Sequence, residues 1–148
     1  MPPELVHPVA VFPARRFGLI QPHGDVSAES VLRSGSILVA RPEWEPGFDE
    51  VWDLRFAGAF VIDPSAISRL RELEVATRER LAGSRTLFVT GDRPHLGFVA
   101  GFYGRLVRPL GRSVVACRTE AEALRYLGGD SIPLLGPNRP GGGPDPTG

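Results

Sequence analysis

The order of its predicted elements makes this chain an α/β domain with a mixed sheet of about five strands and helices packed on it. Three observations lead there. Short apolar runs alternate with helical stripes in the order β-β-α-β-α-β-α-β-α. One run, Thr86 to Thr90, is apolar on both faces, which suits an interior strand covered by helices. The links are short, which implies parallel strands joined by right-handed crossovers, while an opening hairpin makes the sheet mixed.

Val9 to Phe12 and Phe17 to Ile20 are the two hairpin strands, and Pro13-Ala14-Arg15-Arg16 is their turn, because Pro blocks ladder pairing and fixes φ. After the Gly24-Asp25 break, Asp25 or Ser27 caps a helix that begins near Ala28 and carries Val31, Leu32, Leu38 and Val39. Pro42 and Pro46-Gly47 end it. Phe48 to Arg55 is the next strand. Asp63-Pro64 then starts a helix expected to run to about Ala82, since Asp accepts from free first-turn amides and Pro suits the first helical position. Its buried stripe is Ala66, Leu70, Leu73, Thr77 and Leu81, with Ile67 beside it. Arg69, Glu72, Arg78 and Glu79 face water, and Glu74 pairs with Arg78 at i,i+4. Gly91-Asp92-Arg93-Pro94 starts a third helix, closed by Pro109 and Gly111, in which Gly101 and Gly104 allow close packing. Ser113 to Cys117 is the last strand, and Thr119, with Glu122 at capping-box spacing, starts a last short helix.

The chain has 148 residues, a one-domain length, with residues 1–128 as that domain. From Gly128 onward 12 of the 21 residues are Gly or Pro, so residues 129–148 are expected to form a tail without fixed structure. Ile132, Leu134 and Leu135 could still pack locally. Charged residues make up 23% with a net charge of zero, and no three basic residues are adjacent, which speaks against nucleic acid as a partner. All 17 basic residues are Arg, a compositional bias and not a chemical signal. One Cys excludes an intrachain disulfide. Met1 to Pro8 lacks a signal-peptide pattern, and no apolar run approaches the ~18 residues of a membrane span, so the expected setting is the cytoplasm.

The element order is similar to that of the STAS fold, and most closely to the bacterial SpoIIAA-like group of STAS/CRAL-TRIO domains. Three pieces carry the resemblance. They are Arg41-Pro42-Glu43-Trp44-Glu45-Pro46-Gly47 with Val51-Trp52-Asp53-Leu54-Arg55, then Gly83 to Val89, then Val114 to Leu127. The resemblance implies a small domain that works by binding: a non-catalytic protein-interaction or regulatory module. The alternative it implies is a small-molecule or lipid carrier. STAS relatives that bind a kinase are switched by phosphorylation of a Ser in an Asp-Ser-Ser-Gly type sequence. The matching place here reads Asp63-Pro64-Ser65-Ala66, which keeps the Asp, puts Pro after it, and leaves Ser65 as the candidate phospho-site.

The residues themselves offer little catalysis. His7, His23 and His95 have no metal-ligand spacing, and no cofactor motif is present, so no metal and no cofactor are expected. Cys117 sits in an apolar strand and reads as core. The candidate partner or anion site is instead the carboxyl edge of the parallel sheet, where ligands of such sheets tend to bind. Asp53 and Arg55 point to one face there, either as an ion pair or with Arg55 as the anion holder, and Asp63 and His95 mark the two helix starts. The expected partner is another protein, with a small apolar or anionic ligand as the other possibility. Trp52 belongs to the core, and Trp44, between two Glu, is the surface candidate.

Overall fold

The computed structural model describes residues 6–61 and 65–136, apart from the side chains of 65–67. Strands β1 (Val9–Phe12) and β2 (Phe17–Ile20) form the hairpin, closed by a 3-10 turn over Pro13–Arg15. A two-residue strand β3 (Val26–Ser27) leads into α1 (Ala28–Ala40), where Ser27 and Ser30 bond reciprocally to each other's backbone amides as a capping box. Then follow β4 (Asp49–Asp53), the short β5 (Phe60–Val61), α2 (Ser65–Ala76), β6 (Arg85–Val89), α3 (Pro94–Val107), β7 (Ser113–Cys117) and α4 (Glu120–Leu127). The main sheet has the order β1-β2-β4-β6-β7, antiparallel at β1–β2 and parallel elsewhere, and β3 pairs with β5 outside it. The predicted α/β class with a mixed five-stranded sheet is the observed one, and the β6 strand is interior as expected.

Strand alternation divides the core in two. Ile20, Trp52, Phe88 and Leu54 join Leu38, Val39, Trp44, Leu96 and Ala100 under α1 and α3. Phe17, Leu19, Val51, Leu87, Val89 and Cys117 face the opposite side, where Ala123 of α4 covers them. Trp52 and Phe88 are neighbours across the β4–β6 ladder, with rings 6.5 Å apart. Gly18 of β2 is required by a close approach, because an added Cβ would lie 2.6 Å from Leu38 and 2.8 Å from Trp44.

Four expectations need correction. Trp44 is buried over Gly18 and donates its Nε1 hydrogen to the Arg80 carbonyl at 2.7 Å, so it is core. The α2 helix stops at Ala76, and Thr77 to Gly83 continue as turns, with Leu81 still in the core. Glu74 is buried and bonded to Tyr103 and Arg112, so its i,i+4 pairing with Arg78 does not form. Lastly, the segment after α4 is docked as far as Leu135. Ile132 is 3% exposed in the α4-side core and Leu135 packs beside it, while Leu134 is 70% exposed. Side-chain bonds hold this segment: Arg15 donates to the Gly128 and Ser131 carbonyls, and Glu120 accepts from the Ile132 amide. Composition missed this because two apolar side chains, Ile132 and Leu135, and borrowed partners offset the Gly and Pro. Residues 137–148 lie outside the described residues.

Candidate functional site

The carboxyl edge of the sheet is built around Asp53, the fully buried last residue of β4. Arg55 donates to both of its oxygens, from Nε at 2.9 Å and from Nη2 at 2.8 Å. These bonds raise the Arg55 pKa further, and Glu120 adds to it from 3.6 Å. Gln21, at the end of β2, donates from Nε2 to Asp53 at 3.0 Å and to the Pro133 carbonyl at 2.9 Å. Its Oε1 accepts from the Leu135 amide at 2.7 Å. The result joins two strand ends and the segment after α4 in one hydrogen-bonded group.

The predicted site residues meet only in part. Asp53 and Arg55 come together as an ion pair that spends Arg55 Nε and Nη2 on Asp53. His95 is exposed in the first turn of α3, and its side chain has no hydrogen bond or ion pair among the described residues. Asp63 lies outside the described residues, and Ser65 is the first residue of α2, with its side chain not described. Nearby, Asp92 accepts from Arg118 at 2.9 and 2.7 Å, and Arg93 donates to the Ala57 and Gly58 carbonyls, which ties down the loop after β4.

From this edge an open furrow runs along α3 beside β7. One part, of about 370 Å³, is lined by Thr90 to Pro94, Gly97 and Arg118. The next, of about 420 Å³, shares Gly97 and reaches Gly101, Arg105, Arg108, Val114 and Ala116. Gly97 and Gly101 face open space, and only Gly104 approaches β7, where a Cβ would stand 3.5 Å from Val114. Thus only the second of the two glycines expected to permit close packing does so. On the same helix Phe98 is 80% exposed and Phe102 is 41% exposed. Both fall off the stripe of Leu96, Ala100, Tyr103 and Val107 that α3 turns to the core, so they lie on its outer side.

A second polar group lies on the opposite face of β4. Glu50, Glu74 and Arg112 are all buried. Arg112 donates to Glu74 and to Thr86, and stands 3.5 Å from Glu50. Tyr103 donates to the other Glu74 oxygen, and Thr86 to Glu50 at 3.0 Å. Burial, and then the charge of Glu50, push the Glu74 carboxyl up to about 7 despite Arg112. A carboxyl so placed can hold or release a proton near neutrality. Two cavities adjoin this group, of about 20 Å³ and about 50 Å³, and share Val31, Trp52 and Tyr103. Sequence reasoning missed the group, although a signal exists. Glu50 shares the face of Trp52, and Glu74 falls on the Leu70–Leu73–Thr77–Leu81 stripe.

Cys117 is buried, and burial pushes its thiol pKa up. Among the described residues no three His, Cys, Asp or Glu are grouped to hold a metal, and no helix is long and apolar enough to cross a membrane. Compared with known proteins, the chain matches no family model, no curated protein and no solved structure.

Proposed function

We propose that this chain is a non-catalytic, STAS-like interaction or regulatory module of the bacterial cytoplasm, whose partner is another protein. The observation that carries the reading is α3, which turns Phe98 and Phe102 into solvent on one side and borders an open furrow with Gly97, Gly101 and Gly104 on another. Exposed aromatic side chains are over-represented on protein-binding surfaces. The strand and helix order supports the STAS-like part, and a mixed sheet with one antiparallel edge is what that resemblance implies. In this reading the Asp53–Arg55 pair is a structural tie, and the binding surface lies next to it.

The carrier reading needs an enclosed apolar cavity of roughly 300 Å³. The internal cavities of about 20 and 50 Å³ hold no such ligand, which favours the module. Catalysis is disfavoured in the same way, because the titratable group at Glu74 is sealed from solvent.

The test is a photo-crosslinking residue at Phe98, irradiated in the native host, with mass spectrometry of the adducts. One dominant protein adduct is the expected result. Absence of any protein adduct, combined with a small molecule retained in native mass spectrometry, overturns the module in favour of the carrier.

A further inference from the structure

The two edges of the sheet differ. At β1 the strand is bracketed by Pro8 and Pro13, and Pro blunts an edge by removing donors. At β7, Ser113–Cys117 contains neither Pro nor charge. The Cys117 carbonyl accepts from the Thr90 amide at 2.8 Å, so the odd-numbered residues of β7 turn their backbone groups toward β6. Val114 and Ala116 therefore aim two N–H and two C=O groups outward, and among the described residues no backbone group pairs with them. The side chains of the same two residues line the furrow under α3.

The furrow also carries a sign. Arg105 and Arg108 border it and are exposed, and their side chains have no ion pair or hydrogen bond among the described residues. The second part of the furrow has no acidic lining residue, and in the first the sole acid, Asp92, is held by Arg118. A row of free strand groups selects an extended backbone, and unpaired guanidinium groups select carboxylates.

We propose that β7 is a strand-addition edge whose occupant is an extended acidic segment of a partner protein. The segment pairs its backbone with Val114 and Ala116. Its inward side chains lie on the bare glycine side of α3, and its carboxylates meet Arg105 and Arg108 at the Ser113 end. This inference rests on the module reading and names the chemistry of its partner.

The experiment uses the full chain, labelled for nuclear magnetic resonance. The probe is a short peptide of alternating valine and threonine that ends in a pair of glutamates. Its controls are a lysine-ended peptide and a glutamate peptide N-methylated at its central amides. Strand addition slows hydrogen exchange at the Val114 and Ala116 amides by ~10-fold or more. The R105E/R108E variant weakens the glutamate peptide by ~10-fold and favours the lysine peptide instead. The N-methylated peptide does not bind. Equal binding of both charged peptides, or binding that leaves those two amides unprotected, overturns the proposal. So does concentration-dependent protection without peptide, which would make a second copy of this chain the occupant. Ala116→Pro removes one outward donor at an exposed edge position. If crosslinking from Phe98 still captures the partner in a folded Ala116→Pro protein, strand addition falls and the module stands. If that capture is lost while the fold is kept, strand addition is supported. If no variant and no unmodified chain captures a protein, both fall.

Discussion

Strand β4 carries two buried ionic groups on its two faces, and they are built on opposite balances. Toward α4, the Asp53 carboxylate meets one guanidinium, that of Arg55, in a two-bond fork, and Gln21 supplies a further donor. The one buried carboxylate is matched there, and Arg55 and its second acidic neighbour, Glu120 at 3.6 Å, both keep part of their side chains in water. Toward α2 and α3, two carboxylates, Glu50 and Glu74, share the single guanidinium of Arg112, and all three are almost fully buried. The surplus negative charge is relieved by raising the proton affinity of Glu74. A buried ion pair is thus a near-neutral device when its charges balance, and a pH-dependent one when they do not.

Breaking the unbalanced group is expected to cost the most. Arg112→Ala leaves two buried carboxylates without a counter-charge and should lower stability by about 3–5 kcal/mol in urea unfolding at pH 8. The loss should shrink at pH 5, where Glu74 holds a proton. A loss below about 1 kcal/mol at both pH values would mean that the cluster is hydrated and Arg112 dispensable.

The balanced group is best disturbed from outside. Ending the chain after Gly128 removes Ile132 from the core and takes away the partners that Pro133 and Leu135 provide to Gln21. The expected loss is about 2–4 kcal/mol, one buried aliphatic side chain plus two hydrogen bonds. An unchanged melting temperature would instead restore the expectation that this segment is a free tail.

The smallest effect is a slope. The folded protein holds a proton on Glu74 that the unfolded chain releases near pH 4.5, so stability falls as pH rises from there to about 7 and is level above. His7 acts in the other sense. Burial, and then His23, lower its pKa, so its contribution is lost as pH falls below 6.5. The Glu74 part is therefore read as the difference between the unmodified chain and Glu74→Gln. That difference should change by about 1–3 kcal/mol between pH 5 and pH 7 and then stay constant. A pH-independent difference would show that Glu74 stays charged throughout.

How far each part was legible follows from the range of the interactions. The hairpin turn at Pro13, the cap at Thr119 and the doubly apolar Thr86–Thr90 run depend on neighbours within a few residues and appear within one residue of where the sequence places them, and of the two caps offered for α1 it is Ser27 that forms. The Asp53–Arg55 pairing was also within reach, because residues two apart in a strand share a face. Glu74 was misread because its alternative partner Arg78 is close in sequence, whereas Arg112 is 38 residues away. Phe98 and Phe102 are an apolar i,i+4 pair like any core pair, and only the packing of α3 through Leu96, Ala100 and Val107 leaves them outside.

By itself, then, the sequence determined the order of the five main strands and four helices, the parallel crossovers and the interior strand, but not the short β3–β5 pair, since periodicity and capping are local and act before any packing. The tertiary structure alone decided that Glu50, Glu74 and Arg112 share a buried space, which sheet edge stays open, and that the segment from Ser131 to Leu135 docks. Those outcomes depend on distances between residues far apart in the chain, and on how much surface each element finds to cover, quantities that no local pattern encodes.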